Sequence, residues 1–178
     1  NVAFTDNKRE KRGKVITRQR IRDALSIPAK YYVDRGFSSE VLDKYDVGLS
    51  TKAGSKAYNR VVVPVYDDEY SHMVGFSARA TNEETKPKWV HSENFDAGKY
   101  LYNYWHAKKE IAKTGIAILV EGPGDVWRLE EAGINNSVAM FGTYLSEGQK
   151  DLLDMVGAMS LIVLTDNDEA GKIGAESI

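Results

Sequence analysis

"ILVEGPGDVWRL", residues 118–129, runs an apolar, strand-like stretch into a single carboxylate, Glu121, at a turn made of two glycines and a proline. A second carboxylate, Asp125, follows four residues later. Downstream, "LIVLTDND", residues 161–168, repeats the arrangement: an apolar run ends on Asp166 and Asp168. Between the two lie "DVWRLEEAG", "NSVAMFG" and "EGQKDLLDMVG", and after them comes "EAGKIGAES". Apolar runs of strand length that alternate with short helical segments imply right-handed βαβ crossovers and a parallel sheet covered on both faces. Gly133 closes the first helix, and Ser146 with Gln149 predicts a capping box at the start of the second.

Ligands of open α/β sheets sit at the carboxyl ends of the strands. Glu121, Asp166 and Asp168 all fall at such ends, and they converge if the first and third strands are neighbours. Asp166 and Asp168 are two apart, so an extended backbone points both the same way. Asp125 lies in the first turn of the following helix, where a cap is the ordinary role of an aspartate. Carboxylates gathered in one crevice repel each other and stay ionised together when a cation neutralises them. With no cysteine in the chain and no histidine pair at ligand spacing, the donor set is oxygen only and favours Mg²⁺ or Mn²⁺. Gly122 and Gly124 permit a sharp turn and leave room for a phosphate. "DNDEAG" partly mimics a calcium loop, but Ala170 and Ser177 occupy its fifth and twelfth positions and a strand precedes it.

Upstream the texture differs. "RVVVPVYD" (60–67) and "HMVGFSARA" (72–80) are β-branched or aromatic runs joined by "DEYS", which predicts a hairpin. Pro64 cannot donate to a ladder, so its strand is expected at an edge or to carry a bulge. Pro28 suits a helix first turn, "AKYYVDR" continues it and Gly36 stops it. Ser38 or Ser39 then caps "EVLDKYDVG". Residues 81–88 form a loop, and a helix is expected over 99–115. The chain therefore divides into a basic arm or linker at 1–27, a basic α+β subdomain at 28–114, and the parallel-sheet unit at 115–178.

Charge is uneven along the 178 residues. Residues 1–60 carry fourteen Lys and Arg against seven Asp and Glu, whereas residues 111–178 carry four against eleven. A basic front with an acidic back suggests a polyanion handled beside a cation-binding site. No run of about 18 apolar residues is present, so no membrane-spanning helix is expected; nor is there an apolar segment behind the basic residues at 8–22 that would make a signal peptide. A cytoplasmic setting is the expectation.

"VEGPGDV" followed about forty residues later by "LTDNDEAG" resembles the Toprim domain shared by primases, topoisomerases and some nucleases. "YYVDRGFSSEVLDKYDVGLS", "NRVVVPVYDD", "MVGFSARA", "KPKWVHSENFDAGKYLYN" and "VAMFGTYLSEGQKDLL" are similar, in order and spacing, to the catalytic core of DnaG-type primases. The resemblance covers residues 28–178. It implies an α/β protein: a mixed α+β subdomain followed by a Rossmann-like Toprim sheet, cut short at its C-terminus. The implied activity is synthesis of short RNA primers on single-stranded DNA from NTPs, supported by two or more Mg²⁺ or Mn²⁺ ions.

By match, Glu121 is the implied catalytic acid or metal ligand, Asp166 and Asp168 hold the ions, and Asp125 supports them. Arg60, Arg79, Lys88 and Lys99 are the implied contacts to template or NTP phosphates, and Trp89 is a candidate to stack on a base. Zinc is expected only in a separate domain absent from this sequence, and a replicative helicase is an expected partner through a missing C-terminal region. Pro123-Gly124 departs from the bulkier residues usual in bacterial members and points to a phage-type relative. Residues 1–178 alone are expected to be weakly active or inactive. Two alternatives share the acids: a Toprim nuclease or topoisomerase, and a non-catalytic DNA-binding scaffold.

Overall fold

The structure is a computed structural model that describes residues 16–93, 95–166 and 169–178. The order of elements starts with β1 (Ile16–Thr17), α1 (Arg18–Ala24), β2 (Leu25–Ser26), α2 (Lys30–Val33) and α3 (Ser39–Lys44). It continues with β3 (Gly48–Ser50), β4 (Arg60–Tyr66), β5 (His72–Ala80) and β6 (Trp89–His91). After a 3-10 turn at Ala97–Lys99 come α4 (Tyr104–Thr114), β7 (Ile116–Val120), α5 (Pro123–Glu131), β8 (Ser137–Ala139), α6 (Glu147–Val156), β9 (Ser160–Leu164) and α7 (Glu169–Ser177). Two sheets result. The first is antiparallel, in the order β1-β5-β4-β3-β2, with β6 also on β5. The second is parallel, β8-β7-β9.

The second sheet follows from its apolar runs. β7 is the central strand, paired with β8 through Val120↔Ala139 and with β9 through Val120↔Leu164. Both faces of β7 are buried, which is why its sequence is continuously apolar. Ile118 and Val120 pack with Trp127, Val126 and the inner residues of β4, Val61, Val63 and Val65. Ala117 and Leu119 pack on the other side with Ile111 and Leu153 of the flanking helices. The expected capping box forms: Ser146 Oγ accepts from Gln149 N–H at 3.2 Å, and Gln149 Oε1 accepts from Ser146 N–H at 3.1 Å.

The structure departs from the sequence pattern in several places. Ile16–Ser26, assigned above to an arm, is built into the first sheet: β1 pairs with β5 and β2 with β3. The cause is a distant partner. The fully buried carboxylate of Asp46 accepts from Arg18 Nε at 2.7 Å and from Arg22, and also from Tyr66 Oη at 2.9 Å. Residues 1–15, the rest of that arm, lie outside the described residues.

Pro64 is on an internal strand rather than an edge, and the irregularity expected there follows as a register shift at Val65/Tyr66; β3 pairs with β4 only as far as Val62. The ladder thus ends before the missing donor matters. The helix expected from residue 99 begins at Tyr104, because Tyr102 is extended and exchanges backbone hydrogen bonds with Ala139. Asn103, at φ +69°, then turns the chain while its amide donates to the Ser137 carbonyl at 2.9 Å. Finally, Trp89–His91 forms a short strand on β5, with Arg79↔Trp89 and Ser77↔His91 as partners. Among the described residues no helix is long and apolar enough to cross a membrane.

Candidate active site and anion pocket

Because β7 and β9 are parallel and in register, their carboxyl ends lie side by side. Glu121 leaves β7 one residue beyond Val120, and its Oε1 accepts the backbone N–H of Asp166 at 2.9 Å. Asp125 turns back over the glycine-proline turn, where its Oδ2 accepts Gly122 N–H at 3.0 Å. Its capping role is therefore real, and it leaves the second oxygen available. Among the described residues none of the three carboxylates has an ion-pair partner. A cleft of about 670 Å³ holds Glu121, Asp125 and Asp166 from one sheet together with Arg79, Trp89 and His91 from the other.

The second set owes its direction to strand alternation. Ser77 and Arg79 are two apart on β5, their partners His91 and Trp89 are two apart on β6, and all four side chains share one face. Ser77 Oγ lies 2.9 Å from His91 Nδ1, which fixes the ring, and the Arg79 guanidinium lies 5.4 Å from the centre of the Trp89 ring. Trp89 is 37 % exposed, enough to offer a face to a ligand. Tyr32 and Trp127 complete the cleft. Burial pushes the Tyr32 phenol up to about 12, so it stays protonated at neutral pH. Gly122, Gly124 and Gly142 also line the space, and a Cβ on Gly142 would project into open volume with no atom within 4 Å.

Beside the cleft is a polar pocket of about 290 Å³ that shares Arg79 with it and adds Tyr31, Arg35, Lys86 and Lys88, with Glu83 the acid at its rim. Arg60 and Lys99 lie elsewhere. Arg60 is buried, and its guanidinium donates to the Pro87 carbonyl at 2.8 Å and to that of Lys88 at 3.4 Å. It thus holds the β5–β6 connection that presents Lys88. Lys99 is exposed on the 3-10 turn, 3.4 Å from Asp96. Asp168 lies outside the described residues. Tyr31, Arg35, Ser77 and His91 were not singled out by sequence reasoning. They come from separate elements, and only the alternation of β5 and β6 could have flagged two of them.

The carboxylates at the strand ends suit a hard divalent cation, and Glu121 and Asp166 are the residues that would hold it, with Asp125 beside them. Among the described residues no group of three or more histidines, aspartates or glutamates is placed to hold a metal ion. The chain has no cysteine, and no zinc site is present among the described residues.

Two adjoining sheets, a central β7 and acids at neighbouring strand ends define the class: residues 115–178 match the Toprim domain family, and this part of the chain is a Toprim domain. The likeness extends upstream. The chain is 37% identical over 121 residues to the DNA primase of Aquifex aeolicus, and 35% identical over 157 residues to that of Geobacillus stearothermophilus. Those stretches are 66% and 84% of this chain but 24% and 25% of the relatives, so the chain spans about a quarter of their length. Among solved structures, the zinc-binding and RNA polymerase domains of the Aquifex aeolicus primase superpose with a TM-score of 0.76 at 29% identity. That match covers 89% of this chain and 49% of the other. The chain is thus similar to DNA primases over most of its length and to the Toprim domain family over residues 115–178.

Proposed function

We propose that the protein is the catalytic core of a DNA primase, joining ribonucleotides into short RNA primers on a single-stranded DNA template. The observation that carries this is the composition of the cleft. Acids from the parallel sheet face a cation, an exposed indole and an imidazole from the antiparallel sheet. A strand-cleaving enzyme needs the acids. The second wall, with a cationic pocket next to it, suits an enzyme that also holds a template and a triphosphate.

In this reading Glu121 and Asp166, with Asp168, would hold divalent ions, which would polarise a phosphoryl oxygen and a 3′-hydroxyl. Asp125 stiffens the turn that aims Glu121. Arg79 and Lys88 neutralise phosphate oxygens, and Arg60 acts through Lys88 by fixing the loop that bears it. Trp89 stacks on a template base and contributes affinity without choosing sequence, which base pairing decides. Lys99 contacts phosphate outside the cleft, along the approach of the template. Partners beyond the template and the NTPs include a helicase by analogy with replication machinery.

The test is primer synthesis. The protein in its natural full-length form is given single-stranded DNA, Mg²⁺ or Mn²⁺ and labelled NTPs, with Glu121→Gln as control. Short RNA products lost in the variant support the proposal. Cleaved DNA without RNA products would replace it with a nuclease, and binding without either product with a scaffold.

A further inference from the structure

Arg79 is placed by a contact that neither its strand nor its cross-strand partner explains. Its Nε donates to the hydroxyl of Tyr31 at 2.7 Å, across 48 residues of chain. The same tyrosine ring carries the Arg35 guanidinium 3.6 Å from its centre, and the Arg79 guanidinium stands 5.3 Å from it. One ring thus sets the position of two cations in the polar pocket. Arg79 also forms the boundary between that pocket and the carboxylate cleft, being part of both.

Nε is the donor of the guanidinium nearest the stem. Engaging it with Tyr31 leaves the two terminal nitrogens, with their paired N–H groups, free to face an oxyanion in a fork. Arg79 is half-buried, so an untethered guanidinium would choose among Trp89, solvent and the acids of the cleft. The Tyr31 hydroxyl removes that choice. Arg35, Lys86 and Lys88 complete a set of four cations against Glu83, a charge balance that suits a phosphate-type oxyanion.

We infer that Tyr31 is a positioning residue, whose hydroxyl presents Arg79 to a phosphate group at the junction of the basic pocket and the carboxylate cleft. The inference deepens the proposed function, since it rests on Arg79 contacting phosphate. The ligand is either the triphosphate of a nucleotide or the backbone of a single strand, because both offer the same oxygens.

A double-mutant cycle separates this from a structural role. Binding of sodium triphosphate and of an oligothymidylate is measured by calorimetry for the wild type, Tyr31→Phe, Arg79→Gln and the double variant. Tyr31→Phe keeps the ring under Arg35 and loses only the hydroxyl. It is expected to weaken binding of at least one probe by about three- to tenfold, the size of one hydrogen bond. In the Arg79→Gln background the same change should cost nothing further. The probe that responds identifies the source of the phosphate. Equal binding by Tyr31→Phe and wild type, or a full extra loss in the double variant, overturns the inference; so does a wild type that binds neither probe. If Tyr31→Phe does not fold, Arg79→Lys serves, since it keeps the charge but cannot both bond Tyr31 and offer a fork; undiminished binding there is equally fatal. Absence of primer synthesis with the coupling intact would remove the primase assignment and leave Tyr31 in its role.

Discussion

The carboxylate of Glu121 accepts the backbone N–H of Asp166 at 2.9 Å, so the ends of β7 and β9 are joined by a side chain as well as by their ladder. The bond occupies one oxygen of Glu121, a residue that also lines the cleft. A glutamine can make the same bond through its amide oxygen. Glu121→Gln should therefore leave the melting temperature nearly unchanged, a shift within about 0.5 kcal/mol. Primer synthesis should fall by about a hundredfold or more, because the negative charge is gone. Glu121→Ala should cost about 1 kcal/mol as well, since Asp166 N–H then loses its acceptor. Thermal melts and primer gels on the two variants check both halves. A stable, fully active Glu121→Gln protein would falsify the assignment of this acid to the reaction.

Lys88 and Trp89 are adjacent in sequence yet predict different signatures. Lys88 is a cation in the polar pocket, whereas Trp89 shows its face to the cleft. Removing a phosphate contact lowers the slope of log affinity against log salt concentration by about 1. Removing a stacking ring weakens binding by about 1–3 kcal/mol at every salt concentration. Lys88→Ala should thus flatten the salt dependence of oligothymidylate binding, and Trp89→Ala should shift the line downward with its slope preserved. Fluorescence anisotropy from low to moderate salt distinguishes them; two parallel lines would mean that Lys88 does not meet the backbone.

What the sequence made legible was whatever depends on near neighbours. β7 could be recognised because a strand buried on both faces must be apolar throughout. The acids could be recognised because strand ends are where side chains meet ligands. The misplaced elements each depend on a partner far along the chain. Residues 18–22 look like a solvated arm until Asp46, 24 to 28 positions away, accepts their arginines. "YLYN" has helical texture until Ala139 pairs with Tyr102. "WVH" is too short to show any period, and only β5 makes it a strand. The same holds for the site: Tyr31 has no sequence signal, since its meaning lies in an arginine 48 residues later.

His106 on α4 is expected to give the fold a pH dependence. Lys44 Nζ donates to His106 Nε2 at 2.8 Å and to Glu130 Oε1 at 2.5 Å, and Tyr45 Oη donates to Glu130 Oε2 at 3.2 Å. The same Nε2 lies 3.5 Å from Glu130 Oε2, so a cation and a carboxylate both face the ring. Burial first, and the Lys44 charge second, hold the His106 pKa below its ordinary value; Lys109 acts the same way, and Glu130 opposes them. In the unfolded chain the pKa is about 6.5. Between the lowered folded value and 6.5 the unfolded state binds more protons, so the contribution is fully present above pH 6.5 and is lost as pH falls. The wild type should lose more melting temperature from pH 7.5 to 5.5 than His106→Gln, which has no proton to take up. Equal losses would show that the contact does not titrate with folding.

Asp46 makes the sharpest prediction for stability, because two independent costs meet at one residue. Its carboxylate is fully buried and receives Arg18, Arg22 and Tyr66, with Tyr70 Oη at 3.3 Å, so its removal undoes the attachment of α1 to the first sheet. Its backbone also stands at φ +56°, where asparagine and aspartate are tolerated and other L-residues are strained by about 1 kcal/mol. Asp46→Ala combines a broken buried ion-pair network, about 3–5 kcal/mol, with that strain. Asp46→Asn keeps the backbone preference and an acceptor oxygen and loses the charge, so it should cost roughly half as much. Asp46→Gly removes the strain and the network together, and should fall just below alanine in cost. Urea denaturation of the three variants gives the ranking. If alanine costs no more than the left-handed strain of about 1 kcal/mol, and glycine costs nothing, the carboxylate is not what holds Ile16–Ser26 to the sheet, and the β1 and β2 ladders with buried Ile21 are.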